Sequence, residues 1–81
     1  MPSLPSIFAA EVYKARNRKG LTQEQLSSAL HITTRWYQKI EKGESKPNLV
    51  TALSLLVCLD IDLQVFRKEV ERHVRLPILA G

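Results

Sequence analysis

The stretch from Thr22 to Gly43 restricts the fold of this chain more than any other part of the sequence. Thr22 is a good helix N-cap, and Gln25 three residues later completes a capping box. Leu26, Ala29 and Leu30 then recur at helical spacing and mark an inward face. The periodicity breaks at His31-Ile32, and Thr33 is placed to cap a second helix whose inward residues are Tyr37 and Ile40. Gly43 supplies the left-handed residue that stops it. Two short helices joined by a turn of about 3–4 residues have the dimensions of a helix-turn-helix, whose second helix fits a DNA major groove.

The rest of the chain reads as support for this pair. Residues 1–5 carry two prolines and read as a loose tail. Ser6 is placed to cap a first helix running to about Arg18, with Phe8, Val12 and Ala15 inward and Gly20 ending it. A loop at Glu44-Ser45-Lys46-Pro47 leads to Asn48, the expected cap of a fourth helix. Leu49, Leu53, Leu56 and Val57 make that helix the expected deepest element. Asp60-Ile61 breaks it, and Asp62 caps a fifth helix with the stripe Leu63, Phe66, Val70 and Val74. Pro77 prevents continuation. The expected fold is all-α: a compact five-helix bundle around one core.

Eighty-one residues make one domain, and the 44% apolar content supports a packed core. No apolar run reaches the ~18 residues of a membrane span, and the first residues lack the pattern of a secretory signal. A cytoplasmic chain is expected. The one cysteine, Cys58, lies in the apolar run Leu53–Leu59, so a buried and inert thiol is expected. The net charge of +4 is unevenly spread. Between Lys14 and Lys46 stand eight basic residues and three acids, a net of +5 that leaves −1 elsewhere. Positive charge within and beside the two-helix unit suits a phosphate-facing surface; a solvated charged face is the plainer reading. No phosphate-binding glycine loop, nucleophile–histidine pairing or acid pair in an apolar pocket is visible. His31, His73 and Cys58 have no ligand spacing. Neither an enzyme, a metal site nor a cofactor is expected.

The order of residues adds to this. Leu21-Thr22-Gln23-Glu24-Gln25-Leu26, then Ile40-Glu41-Lys42-Gly43, then Lys46-Pro47, resembles the Cro/CI-type (XRE) family of helix-turn-helix DNA-binding domains. The resemblance runs from about Val12 to Phe66 and implies a lambda-repressor-like DNA-binding domain. It divides the chain into a flexible tail (1–5), the helix-turn-helix domain (6–66) and an additional C-terminal helix and tail (67–81).

With Tyr37 and Ile40 inward, helical geometry puts Thr34, Arg35, Gln38 and Lys39 on one outward strip. The resemblance implies that these four approach base edges; arginine and lysine favour guanine, and glutamine favours adenine. It also implies a phosphate contact from Gln23 at the start of its helix. Thr33, Lys42, Lys46 and Asn48 are the further phosphate-contact candidates, which set register without reading sequence. Arg16 and Glu41 are implied to form a structural ion pair, as guanidinium–carboxylate geometry favours. Ser27 stands where the family usually has alanine, and His31 and Asp60 where it usually has a left-handed glycine. Trp36 departs from the family's small polar residue. Stacking on DNA, packing beside helix two and a protein-partner surface are the three readings of it. Val70, Val74 and Ile78 are the expected dimer contacts, with packing of the tail on its own chain as the alternative.

Together these readings point to a sequence-specific regulator of double-stranded DNA, acting as a repressor and homodimer on a pseudo-palindromic operator. Two alternatives keep the same fold. One is an antitoxin that binds both DNA and a toxin; the other is an adaptor or co-regulator contacting only protein.

Overall fold

The computed structural model describes residues 3–74, and within them five α-helices and one 3₁₀ turn but no strand. They are α1 (Leu4–Arg18), α2 (Gln23–Ala29), α3 (Thr34–Glu41), α4 (Leu49–Cys58) and α5 (Arg67–His73). The 3₁₀ turn Leu63–Phe66 leads directly into α5.

Each start has its own local cause. The Ser3 hydroxyl accepts from the Ser6 amide, so Ser3 caps α1 in place of the expected Ser6 and the helix begins at Leu4, three residues early. Pro5 is tolerated there because first-turn amides have no helical acceptor. The Thr22–Gln25 box is reciprocal, with both hydrogen bonds formed at 2.9 and 3.0 Å. Thr33 accepts from the Trp36 amide, and Asn48 from the Thr51 amide at 2.8 Å. Asp62 caps the 3₁₀ turn.

The core is Val12 and Ala15 of α1, Leu26 of α2, Tyr37 and Ile40 of α3, and Leu55 and Leu59 at the end of α4. Phe8 and Phe66 stack at 5.8 Å between ring centres, which pins the 3₁₀ turn onto α1. Gly43 has φ +77, a left-handed conformation that glycine adopts without strain, and so ends α3 beside Ser6 and Ala9 of α1.

Four expectations about burial are corrected. In α2, Ala29 faces solvent and Ser27 is buried in its place. In α4, Thr51, Leu55 and Leu59 are buried while Leu49, Leu53 and Val57 are exposed and Leu56 is half-buried. That helix has apolar residues on both faces, so periodicity does not tell which side meets the core. Cys58 is exposed. Beyond residue 62, only Phe66 of the expected stripe is buried. Leu63 and Val70 are open to solvent, and Glu69 is inside with its carboxylate bonded to Arg72.

His31 and Asp60 both adopt positive φ, 57 and 53 respectively. A side chain in this region costs about 1–2 kcal/mol, partly offset by the unfolded-state freedom that glycine would add. His31 is exposed, so His31→Gly is expected to raise stability by ~0.5–1 kcal/mol, read as a higher urea midpoint at constant slope. Asp60 is held differently. Its carboxylate takes a hydrogen bond from Lys19 at 2.5 Å, which keeps its pKa below the usual value.

Candidate nucleic-acid interface

Helices α2 and α3 are held at their crossing by small and polar groups. Ser27, buried, bonds the Glu24 carbonyl at 3.2 Å and the Thr34 hydroxyl at 3.0 Å. A larger side chain at 27 would push the helices apart. The Thr34 hydroxyl is therefore turned toward α2 and half-buried.

The far end of α3 is fixed through one carboxylate. Glu41 receives Arg16 twice, Nε on Oε2 at 2.8 Å and Nη2 on Oε1 at 3.0 Å. The remaining Arg16 nitrogen, Nη1, donates to the Leu21 carbonyl at 2.8 Å, so one guanidinium ties α1 to the α1–α2 connection and to α3. Tyr37 Oη and Gln23 Nε2 also donate to Glu41, the latter at 3.0 Å. The two charged side chains are only 11% and 6% exposed. Burial alone would raise the Glu41 pKa. The hydrogen bonds from Arg16, then Tyr37 and Gln23, outweigh it and hold the carboxyl below its usual value. The hydrogen bond to Glu41 raises Arg16. Burial, reinforced by the same carboxylate, raises Tyr37.

Gln23 extends this cluster toward the surface. Its Oε1 accepts from Gln38 Nε2 at 3.1 Å, giving a chain Gln38–Gln23–Glu41–Arg16. Each glutamine keeps one amide hydrogen outside the chain, and Gln38 also keeps its carbonyl oxygen. Sequence reasoning missed this link; two amides fifteen residues apart leave no periodic signal.

On this platform the outward strip of α3 separates into two kinds of residue. Arg35 and Lys39 are exposed, while Thr34 and Gln38 are half-buried and bonded to α2. Of the eight cations between residues 14 and 46, three have acidic partners: Lys14 with Glu11, Arg16 with Glu41 and Lys19 with Asp60. Arg18, Arg35, Lys39, Lys42 and Lys46 have no acidic partner among the described residues, and all but Arg18 lie on α3 or just after it. Lys42 closes α3, and Lys46 lies in the loop beyond; both are exposed. The side chains of Thr33 and Asn48 act as caps, at exposed positions.

Trp36 packs against the core, and its indole N–H donates to Ser45 Oγ at 3.0 Å. It fastens the 44–47 loop, and with it the segment carrying Lys46, to α3. Burial against the domain is the reading this geometry supports, as opposed to an exposed partner surface. Of the expected dimer contacts, Val70 is exposed and Val74 half-buried, and Ile78 lies outside the described residues.

A short helix held proud of a bundle, with unpaired cations along its outer side, is the arrangement of a helix-turn-helix domain. The helix-turn-helix family model matches residues 12–66. The chain is 33% identical over 57 residues to YqaF of Bacillus subtilis (strain 168), an uncharacterized HTH-type transcriptional regulator; the match covers 70% of this chain and 75% of that protein. No solved structure matches. The chain belongs to the XRE-type helix-turn-helix family of DNA-binding transcriptional regulators. No helix among the described residues is long and apolar enough to cross a membrane.

Proposed function

We propose that this chain is a repressor that binds a pseudo-palindromic operator as a homodimer. Each α3 enters a major groove, and half-site centres are about 10–10.5 base pairs apart or a multiple of that. Arg35 and Lys39 read base edges, with Gln38 presented beside them through Gln23 and Thr34 at the entry of the helix. Gln23, Thr33, Lys42, Lys46 and Asn48 meet phosphates on either side. Repression follows from occupancy: a dimer seated on a promoter excludes polymerase. The C-terminal extension, through Val70, Val74 and Ile78, contributes to the contact between copies. The observation that carries the reading is the pair of exposed, unpaired cations Arg35 and Lys39 on a helix whose other face is locked into the core.

The docking of Trp36 on Ser45 removes one ground for a protein-only role, since the indole is occupied within the domain. Titration of duplex DNA at several salt concentrations separates the two. Counterion release gives a log–log slope of about −0.9 per phosphate contact, so Lys42 and Lys46 in two subunits predict roughly −3 to −4. A folded chain that shows no salt-dependent duplex binding contradicts the proposal.

A further inference from the structure

The outer face of α4 has no partner among the described residues. Leu49, Val50 and Val57 are 73, 73 and 75% exposed, with Leu53 half exposed between them. Their spacing places all four within about 100° of arc on the helix, opposite the buried Thr51, Leu55 and Leu59. A helix that is apolar on both sides has a second surface to bury. The face runs on through Leu56 into an open apolar groove of about 490 Å³ lined by Phe8, Leu63, Phe66 and Val70.

We infer that this face of α4 is the contact between two copies of the chain, with Val70 at its margin. The inference deepens the homodimer of the proposed function and rests on it. Three observations select a second copy as the occupant. First, α4 contains no charged residue in ten, while the chain carries +4 overall. Two like-charged copies meet with least repulsion through such a face, and a charged partner gains nothing from it. Second, the exposed apolar surface of α4 and the groove is on the order of 400–600 Å² per copy, the size of a functional patch. Doubled by symmetry, it approaches the ~1,200 Å² at which stable interfaces begin.

Third, the spacing is self-complementary. Leu53 stands four residues from both Leu49 and Val57, and three from both Val50 and Leu56. An antiparallel pair of α4 helices crossing at Leu53 sets Leu49 against Val57 of the second copy, and Val50 against Leu56. Leu53 meets its own equivalent on the two-fold axis. A symmetric interface requires this reciprocity.

Sedimentation of the full chain without DNA tests this. The wild type is expected to dimerise at micromolar concentration. Val57→Lys and Leu53→Glu both place charge at exposed positions, and each is expected to weaken the dimer by ~10-fold or more with unchanged helical circular dichroism. Leu53→Cys in a Cys58→Ser background is expected to cross-link copies on mild oxidation, because residue 53 lies on the axis. A wild type that stays monomeric, or a dimer indifferent to both charged variants, overturns the inference. Binding to a half-site duplex, measured alongside, belongs to the DNA reading. Its loss in the wild type with an α4-dependent dimer intact overturns that reading and leaves this one standing.

Discussion

Replacing Arg16 with alanine is expected to destabilise the domain by about 3–5 kcal/mol, because it leaves a buried carboxylate without its cation. Glu41 is 6% exposed, and without Arg16 it keeps only Tyr37 and Gln23 as donors. A chain of this length has a total stability of roughly 4–12 kcal/mol, so the loss removes a large part of it. The same change frees the Leu21 carbonyl, which joins α1 to α2. Urea unfolding followed by circular dichroism should show a much lower midpoint at an unchanged slope.

The pH dependence has a definite sign. The folded-state pKa of Glu41 lies below its unfolded value, so folding favours the ionised form. The stabilisation is fully present above the unfolded value of about 4.3 and is lost as pH falls through the lower folded value. The stability gap between wild type and Arg16→Ala should therefore narrow below pH ~4. A gap independent of pH down to 2 would show that the pair contributes through packing and not through charge.

Replacing Arg35 with alanine is expected to cost about 1–3 kcal/mol on the best operator and to relax preference at one base pair. Its side chain is exposed and has no acidic partner among the described residues, so the folded domain loses little. The loss should fall on specific binding. Selection of bound sites from random duplexes with both proteins measures it: one column of the motif should flatten, and the others should stay. An equal loss on specific and random DNA would place Arg35 on a phosphate.

The helix-turn-helix was legible because its determinants are local. Thr22, Gln25, Thr33 and Gly43 act within one turn of helix, and the structure shows all of them in their capping and stopping roles. Left-handed His31 and Asp60 were legible from the family pattern of turn positions. Burial in α4 was not. A helix of mostly Leu and Val has two apolar sides, and only tertiary packing into the core shared by α1, α2 and α3 selects Leu55 and Leu59 over Leu53 and Val57. Cys58 was misplaced for the same reason. The expected outward strip of α3 also needs refinement. Arg35 and Lys39 stand free, but Thr34 and Gln38 are engaged by Ser27 and Gln23, partners on another helix that no spacing rule anticipates. The role of Trp36 depended on Ser45, a loop residue whose position follows from the way Gly43 turns the chain.

In the proposed complex α3, braced from beneath by Arg16 and Glu41, reads base edges in the major groove. Methylation interference on a selected operator tests it most directly, because dimethyl sulfate modifies guanine N7 in the major groove and adenine N3 in the minor groove. Methylation at guanine N7 within each half-site is expected to block binding, with at least one of these blocks absent for Arg35→Ala. Interference confined to adenine N3, or undiminished binding to operator methylated at every guanine, would contradict it.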